Sequence, residues 1–289
     1  MEHIGSIDSL KLTVLCDDNT GITKQFLSQH GFCLLLEIHS NTVNKNILFD
    51  TGQSTLPIFH NMNLLDIKPS CIDMIMLSHA HNDHTGGLIS ILEAIDKETP
   101  IIAHPDLFKE NFSSIPFLRY TGCPYTKQDI INKKGKLLLS KEPIKLLDGI
   151  LFSGQIKTTS YPCLNNSKYY NLVDGKKVVD EILDDTCLIL NIKSKGLLII
   201  TGCCHSGIMN TISHAIDVTG INEIYGIIGG LHLVNTAPSL INTTLHELYK
   251  FKLQTISLGH CTGVTATHKC IELFLDKCTL LHSGKILEY

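Results

Sequence analysis

The segment Ser78-His79-Ala80-His81-Asn82-Asp83-His84-Thr85-Gly86-Gly87 places three imidazoles and one carboxylate within six residues, directly behind the apolar run 72–77. A buried strand that opens at once onto so many coordinating side chains must end at an edge where they can be used, because none of them serves packing. We read the segment as the first half of a metal site. Residues two apart share a face in an extended chain, so His79, His81 and Asp83 are expected to converge on one side of the strand's exit. His84 breaks that parity. It precedes Leu88, Ile89, Ile91, Leu92 and Ile95, whose spacing is helical, and is expected to face a neighbouring point near the helix start. Two adjacent metal positions fit this arrangement better than one. Neutral imidazole and carboxylate suit zinc, with iron or manganese as alternatives.

The pattern along the chain predicts strands at 11–16, 32–38, 46–49, 72–77 and 100–103, with a short helix at 57–65 and another beginning near His84. Between about 105 and 185 the pattern weakens, and a cover or substrate wall is expected there. Regular structure resumes with a hairpin-like pair, 187–192 and 196–201. A helix at 208–219, a strand at 223–228, a helix at 239–249 and strands at 254–258 and 285–288 follow. The loops carrying His79, His205, His232 and His260 each follow a strand.

Composition limits the function classes. With 289 residues, 43% of them hydrophobic, the chain can bury a substantial core, and a single domain over 1–289 is expected. A net charge of −4 offers no electrostatic case for nucleic acid. Eleven cysteines without a regular framework suggest reduced thiols in a cytoplasmic protein rather than a secreted disulfide scaffold. The start lacks a basic region followed by an apolar stretch, and no apolar run reaches about 18 residues, so neither a signal peptide nor a membrane span is expected.

The 78–87 segment resembles the His-x-His-x-Asp-His signature of the metallo-β-lactamase superfamily. Residues 46–52, ending in Asp50-Thr51-Gly52, are similar to that superfamily's first motif, and 258–263, around His260, to its last. Finer features, at 152–156, 202–210, 229–233 and 259–263, resemble the branch of 7,8-dihydropterin-6-methyl-4-(β-D-ribofuranosyl)aminobenzene-5′-phosphate synthases. The resemblance runs from Leu10 to Tyr289. It implies an α/β (α+β) protein with the αββα sandwich and strand-end loops gathered along one edge. It also implies two divalent metal ions, one held by His79 and His81 with His205 as third ligand, the other by Asp83, His84 and His260. Many relatives end the strand before His205 in Gly-Asp and bridge the metals with that Asp, whereas this chain has Gly202-Cys203. Cys203, Asp185 or water would then form the bridge.

Asp50 is expected to support a metal-bound histidine from behind. Asp83 and His232 are the candidate catalytic residues, His232 as an acid or base facing substrate. Asp18 and Asn19 either line the same edge or serve as turn residues. Cys204 and Cys261 are expected to pack as small hydrophobes. His30, His39, His60, His104, His214, His246, His268 and His282 receive no role.

A bound divalent ion lowers the pKa of its water to about 7, and two ions roughly 3.5 to 4 Å apart stabilise charge on an ester or phosphate oxygen. The expected activity is therefore a metal-dependent hydrolase acting on a phosphate ester or related small molecule, or a synthase-like transferase. In the latter the metals bind a diphosphate leaving group while an aromatic amine attacks a pterin methylene carbon. The alternatives are a diiron redox protein on the same fold, disfavoured by His81 where such proteins commonly show Glu, and a non-catalytic metal-binding protein.

Overall fold

Period-two alternation decides which way each strand of this protein faces. In the strand Cys33–His39, Leu34, Leu36 and Ile38 enter one apolar core while Cys33 and Leu35 enter another on the opposite face. Leu188, Leu190 and Ile192 of Cys187–Ile192 do the same against Cys187 and Ile189. Strands buried on both faces need cover on both faces, and that requirement sets the layers. The computed structural model describes residues 4–22, 25–40, 43–159, 161 and 168–289.

Two seven-stranded sheets face each other across a shared core that contains Leu12, Leu36, Phe49, Leu190 and Ile200. The first runs, in spatial order, through Ile286–Glu288, Ser9–Cys16, Cys33–His39, Asn44–Phe49, Met74–Met76, Thr99–Ala103 and Gly135–Leu139. The second runs through Cys278–Leu280, Thr255–Leu258, Ile224–Gly229, Gly196–Thr201, Cys187–Ile192, Ile150–Phe152 and Ile144–Leu147. Thr55–Leu64, Leu88–Ile95 and Lys127–Asn132 cover the outer face of the first sheet. Ile208–Thr219, Pro238–Tyr249 and Val264–Phe274 cover that of the second. The layering is the expected αββα sandwich.

The cover expected over 105–185 is narrower than that span. Gly135–Leu139 extends the first sheet in parallel beside Thr99–Ala103, and Ile144–Leu147 with Ile150–Phe152 extends the second. Phe112–Ser113, Arg119–Tyr120, Tyr169–Val173 and Lys176–Val179 alone form a separate four-stranded sheet. Strands of two to five residues give too few alternations for a period to emerge, which is why this region reads as irregular. The helix Val264–Phe274 likewise has no counterpart in the sequence pattern. Its buried positions, Ala266, Cys270 and Phe274, include only one large apolar side chain.

Parallel strands bring their carboxyl ends to one edge. Thr201 lies beside Gly229 and Gly229 beside Leu258, while Phe49 lies beside Met76. Loops at such an edge are where an α/β fold presents its chemistry. The two sheets are tied together there, since Thr186 donates to the Ser78 carbonyl from both its N–H (2.9 Å) and its hydroxyl (2.8 Å). No helix among the described residues is long and apolar enough to cross a membrane.

Leu36 is fully buried between the sheets, so Leu36→Ala should destabilise the protein by about 2–5 kcal/mol in urea unfolding. Leu56→Ala, at a position 72% exposed, should change stability by no more than about 0.5 kcal/mol.

Candidate metal centre

Asp50, the first residue past the strand Asn44–Phe49, is fully buried and sits in the left-handed region at φ 58°. Its Oδ1 accepts the Ser78 N–H at 2.7 Å, and its Oδ2 accepts the Ser78 hydroxyl at 2.8 Å and the His84 Nδ1–H at 2.7 Å. With its own proton so directed, the Ser78 oxygen accepts from His79 Nδ1 at 2.9 Å. The hydrogen-bond network therefore fixes both tautomers, and the Nε2 lone pairs of His79 and His84 are left for other partners. Gly202 leaves room for this arrangement, because a Cβ there would lie 2.2 Å from Ser78 Oγ and 2.9 Å from Asp50 Oδ2.

Those lone pairs meet further donors. His79 Nε2 stands 2.9 Å from His81 Nδ1, and His84 Nε2 stands 3.1 Å from His260 Nε2. His260 Nδ1 donates to Asp18 Oδ1 at 2.7 Å, which turns its Nε2 inward. Asp83 Oδ2 lies 3.4 Å from His260 Nε2 and 3.6 Å from His84 Nε2. Donor atoms of Asp83, His84, Cys203 and His260 all fall within 4.8 Å of one another, as do those of His79, Cys203 and His205. The His81 ring centroid is 4.8 Å from that of His205. The structure thus gathers all six expected donors.

Their grouping corrects the period-two expectation. Asp83 joins His84 and His260 rather than His79 and His81, because the strand ends at Met76 and Asn82–Thr85 is a helical turn. For Asp83, His84 and His260 that is the division the family resemblance implies, whereas His81 falls in none of the donor groups and meets His79 at 2.9 Å and the His205 ring at 4.8 Å.

The charge states suit a cation. Burial, reinforced by neighbouring imidazoles, drives His79 and His205 well below the usual histidine range, and burial takes His81 to about 3. Burial would raise Asp83, but the charges of His84 and His260 hold its carboxyl well below the usual range. Burial opposes protonation of His260, yet Cys261, Asp18 and Asp83 hold its pKa well above the usual value. His81 is unsatisfied in either tautomer, since its Nε2 is buried without a hydrogen-bond partner among the described residues. The neutral rings of His79, His81 and His205 and the ionised Asp83, with ring nitrogens paired at 2.9 Å (His79–His81) and 3.1 Å (His84–His260), match the donor chemistry of a divalent ion, which on binding would take the place of the His260 Nε2 proton.

Other expected residues fall in varied places. His232, at φ 49°, sits with its ring centroid 4.0 Å from that of His205, and its Nδ1 is buried without a hydrogen-bond partner among the described residues. Asp185 takes the Ser206 N–H on Oδ2 at 2.8 Å, its Oδ1 is buried without a hydrogen-bond partner among the described residues, and it belongs to none of the donor groups. Asn19 is a turn residue that donates to Asp17 Oδ1, while Asp18 lines the site. Cys204 packs into the outer core as expected, with Sγ 3.4 Å from Thr211 Oγ1. Cys261 does not. Its sulfur lies within 4.8 Å of Cys203 and His232 donors, because the loop after Leu258 turns it toward the cluster.

Several contributors carried no local signal. Asp17 Oδ2 accepts the His260 N–H at 2.9 Å. His30 bonds Asp18 Oδ2 at 2.9 Å, lies 3.4 Å from Asp83 Oδ2 and stacks on His260 at 5.1 Å. Tyr169 of the cover sheet places its ring 4.5 Å from His81. Asp184 Oδ2 accepts the Ala80 N–H at 2.7 Å and so fixes the peptide between His79 and His81. Left-handed backbone recurs at Asp50, Cys204, His232 and His260, each within three residues of a strand end. Such conformations cost a non-glycine residue roughly 1–2 kcal/mol and concentrate at functional sites.

The model of the metallo-beta-lactamase superfamily matches residues 29–212. A 7,8-dihydropterin-6-methyl-4-(β-D-ribofuranosyl)-aminobenzene-5′-phosphate synthase of Methanocaldococcus jannaschii is 40% identical over 294 residues, covering 99% of each chain. A second, uncharacterised protein of that organism is 35% identical over 93% of this chain and 97% of its own. Among solved structures, a metal-dependent hydrolase of the β-lactamase superfamily superposes with a TM-score of 0.81 at 24% identity, covering 97% of this chain and 99% of its own. That likeness shows the fold.

Asp50→Asn keeps a residue that tolerates left-handed backbone but loses one charged acceptor, so metal affinity should fall about 10–100-fold in a metal titration while the fold is retained. Burial raises the Asp185 carboxyl to about 6 from 3.8, although bonds from the 205–206 backbone oppose it. Between those pH values the folded state binds the proton that the unfolded state has lost, so stability falls as pH rises. Asp185→Asn should remove up to about 3 kcal/mol of that fall, measured by urea unfolding at pH 4 and at pH 7.

Proposed function

Since the chain belongs to the metallo-beta-lactamase superfamily, we propose that it is a two-metal synthase joining a dihydropterin methyl diphosphate to the amine of a ribofuranosylaminobenzene 5′-phosphate. One observation carries this reading: the likeness to the M. jannaschii synthase extends over 99% of both chains. It therefore takes in the cover sheet beside the donors as well as the donors themselves. A match confined to the metal motifs would speak for the chemistry but not for the substrates.

In this reading His79, His81 and His205 hold one divalent ion, and Asp83, His84 and His260 hold the other. Zinc suits the nitrogen-rich donors, and iron and manganese use the same kinds of ligand. When bound there, such ions would supply Lewis-acid stabilisation of the negative charge on a diphosphate leaving group. The nitrogen lone pair of the amine forms the new C–N bond, the methylene carbon–oxygen pair leaves with diphosphate, and the amine proton must be taken up. His232 is the base we assign to that proton, because its Nδ1 is buried and has no hydrogen-bond partner among the described residues. Asp83 is held ionised by His84 and His260 and serves as an anionic donor rather than a proton reservoir. Asp50, Ser78 and Asp18 orient the rings of His79, His84 and His260. Tyr169 walls the His81 side and helps keep water from competing with the amine.

The purified, metal-loaded protein given both substrates should release diphosphate and the coupled pterin product in equal amounts. Diphosphate without coupled product would show hydrolysis and overturn the proposal. His79→Ala combined with His81→Ala should remove one of two bound ions and lower the coupling rate by at least about 100-fold. Metal content unchanged in that variant would refute the ligand assignment.

A further inference from the structure

Cys203 stands where the donor groups intersect. Its sulfur belongs to the group of Asp83, His84 and His260, to that of His79 and His205, and to a third with His232 and Cys261. No other side chain among the described residues is shared by these three groups. The sulfur lies 3.3 Å from His84 Nε2, which carries the ring's lone pair because the N–H at Nδ1 is donated to Asp50. Packing does not explain the residue. Cys203 is 3% exposed yet belongs to none of the three apolar cores, whereas the adjacent Cys204 is a member of the outer one. Left-handed backbone at Cys204, φ 64°, separates the directions of the two neighbours. Gly202, unable to carry a Cβ against Ser78, brings the chain to the cluster at that point.

Charge gives an independent argument. Two divalent ions bring four positive charges, and among the six donors only Asp83 is anionic. Asp185, the nearby carboxylate that might have added a second charge, bonds the Ser206 N–H and lies outside the groups. We infer that Cys203 supplies a thiolate shared by both ions, so that the centre is a sulfur-bridged pair with a preference for softer divalent metals such as zinc, cobalt or iron over magnesium. On metal binding the thiol proton passes to solvent. Two of the four positive charges are then balanced within the protein, and the remainder is available to an anionic substrate. Cys261 has a different place: its S–H donates to the Cys203 carbonyl at 3.4 Å and holds the peptide from behind. The inference rests on the two-metal reading above and assigns its bridging ligand.

The test uses the full chain loaded with cobalt(II) alone, read by the near-ultraviolet sulfur-to-cobalt charge-transfer absorption and by metal content. Wild type should bind two ions per chain and show the band, Cys261→Ser should keep it, and Cys203→Ser should lose it, with affinity for the second ion reduced at least about tenfold. Cys203→Asp should restore two-ion binding without the band. X-ray absorption of the wild-type zinc protein supplies a reading that needs no variant, and it should show one sulfur neighbour for each zinc. Two bound ions without sulfur ligation, or a band that follows Cys261 instead, would overturn the inference while leaving the two-metal reading intact. Failure to bind two ions would overturn both. Ligation with sulfur but no coupling of substrates would overturn only the proposed reaction.

Discussion

A single buried carboxylate organises the edge at which this protein gathers its donors. Asp50 accepts three hydrogen bonds, from the Ser78 peptide, the Ser78 hydroxyl and His84, and through Ser78 it also sets His79. The two rings belong to different donor groups, so one residue fixes the tautomers on both sides of the centre. A carboxyl group is costly to bury unless its oxygens are satisfied, and here three hydrogen bonds satisfy them. Loss of any one partner would disturb the others, because such networks are worth more than the sum of their pairs.

The fold makes this possible by bringing the carboxyl ends of parallel strands from two sheets to the same edge. Asp50 and the 78–84 segment come from the first sheet, and Cys203, His205, His232 and His260 come from the second. The bonds from Thr186 to the Ser78 carbonyl hold the two sheets in register at that point. Supporting residues sit behind the donors on each side, Asp184 at Ala80 and Asp17 with Asp18 at His260. The cover sheet reaches the same place through Tyr169 alone among the ring contacts described for its strands with the donor histidines. The donors and the cover beside them are thus carried by separate sheets.

How much of this the chain declares in advance depends on sequence distance. His79, His81, Asp83 and His84 are legible because they lie together within six residues directly behind an apolar run. Even there, parity misassigns Asp83, since the chain has already turned helical. Asp17 and His260 are separated by 243 residues, and nothing local to either announces their bond. His30 is similarly silent as a lone histidine before Gly31. The small cover strands and the helix Val264–Phe274 elude the pattern for another reason: their apolar side chains are too few or too small to build a period. Cys261 departs from the packing expectation because a loop can turn a thiol toward either a core or a cluster, and composition does not distinguish the two.

The left-handed residues at this edge, Asp50, Cys204, His232 and His260, have a thermodynamic corollary. Glycine would relax each backbone, but at three of these positions it would delete the imidazole or carboxylate that builds the centre. The rim is consequently poised uphill of its own relaxed geometry, and the sandwich behind it must supply the deficit. A cation that engages these rings only in the folded chain would draw the equilibrium toward that chain. Resistance to heat would then track occupancy of the centre.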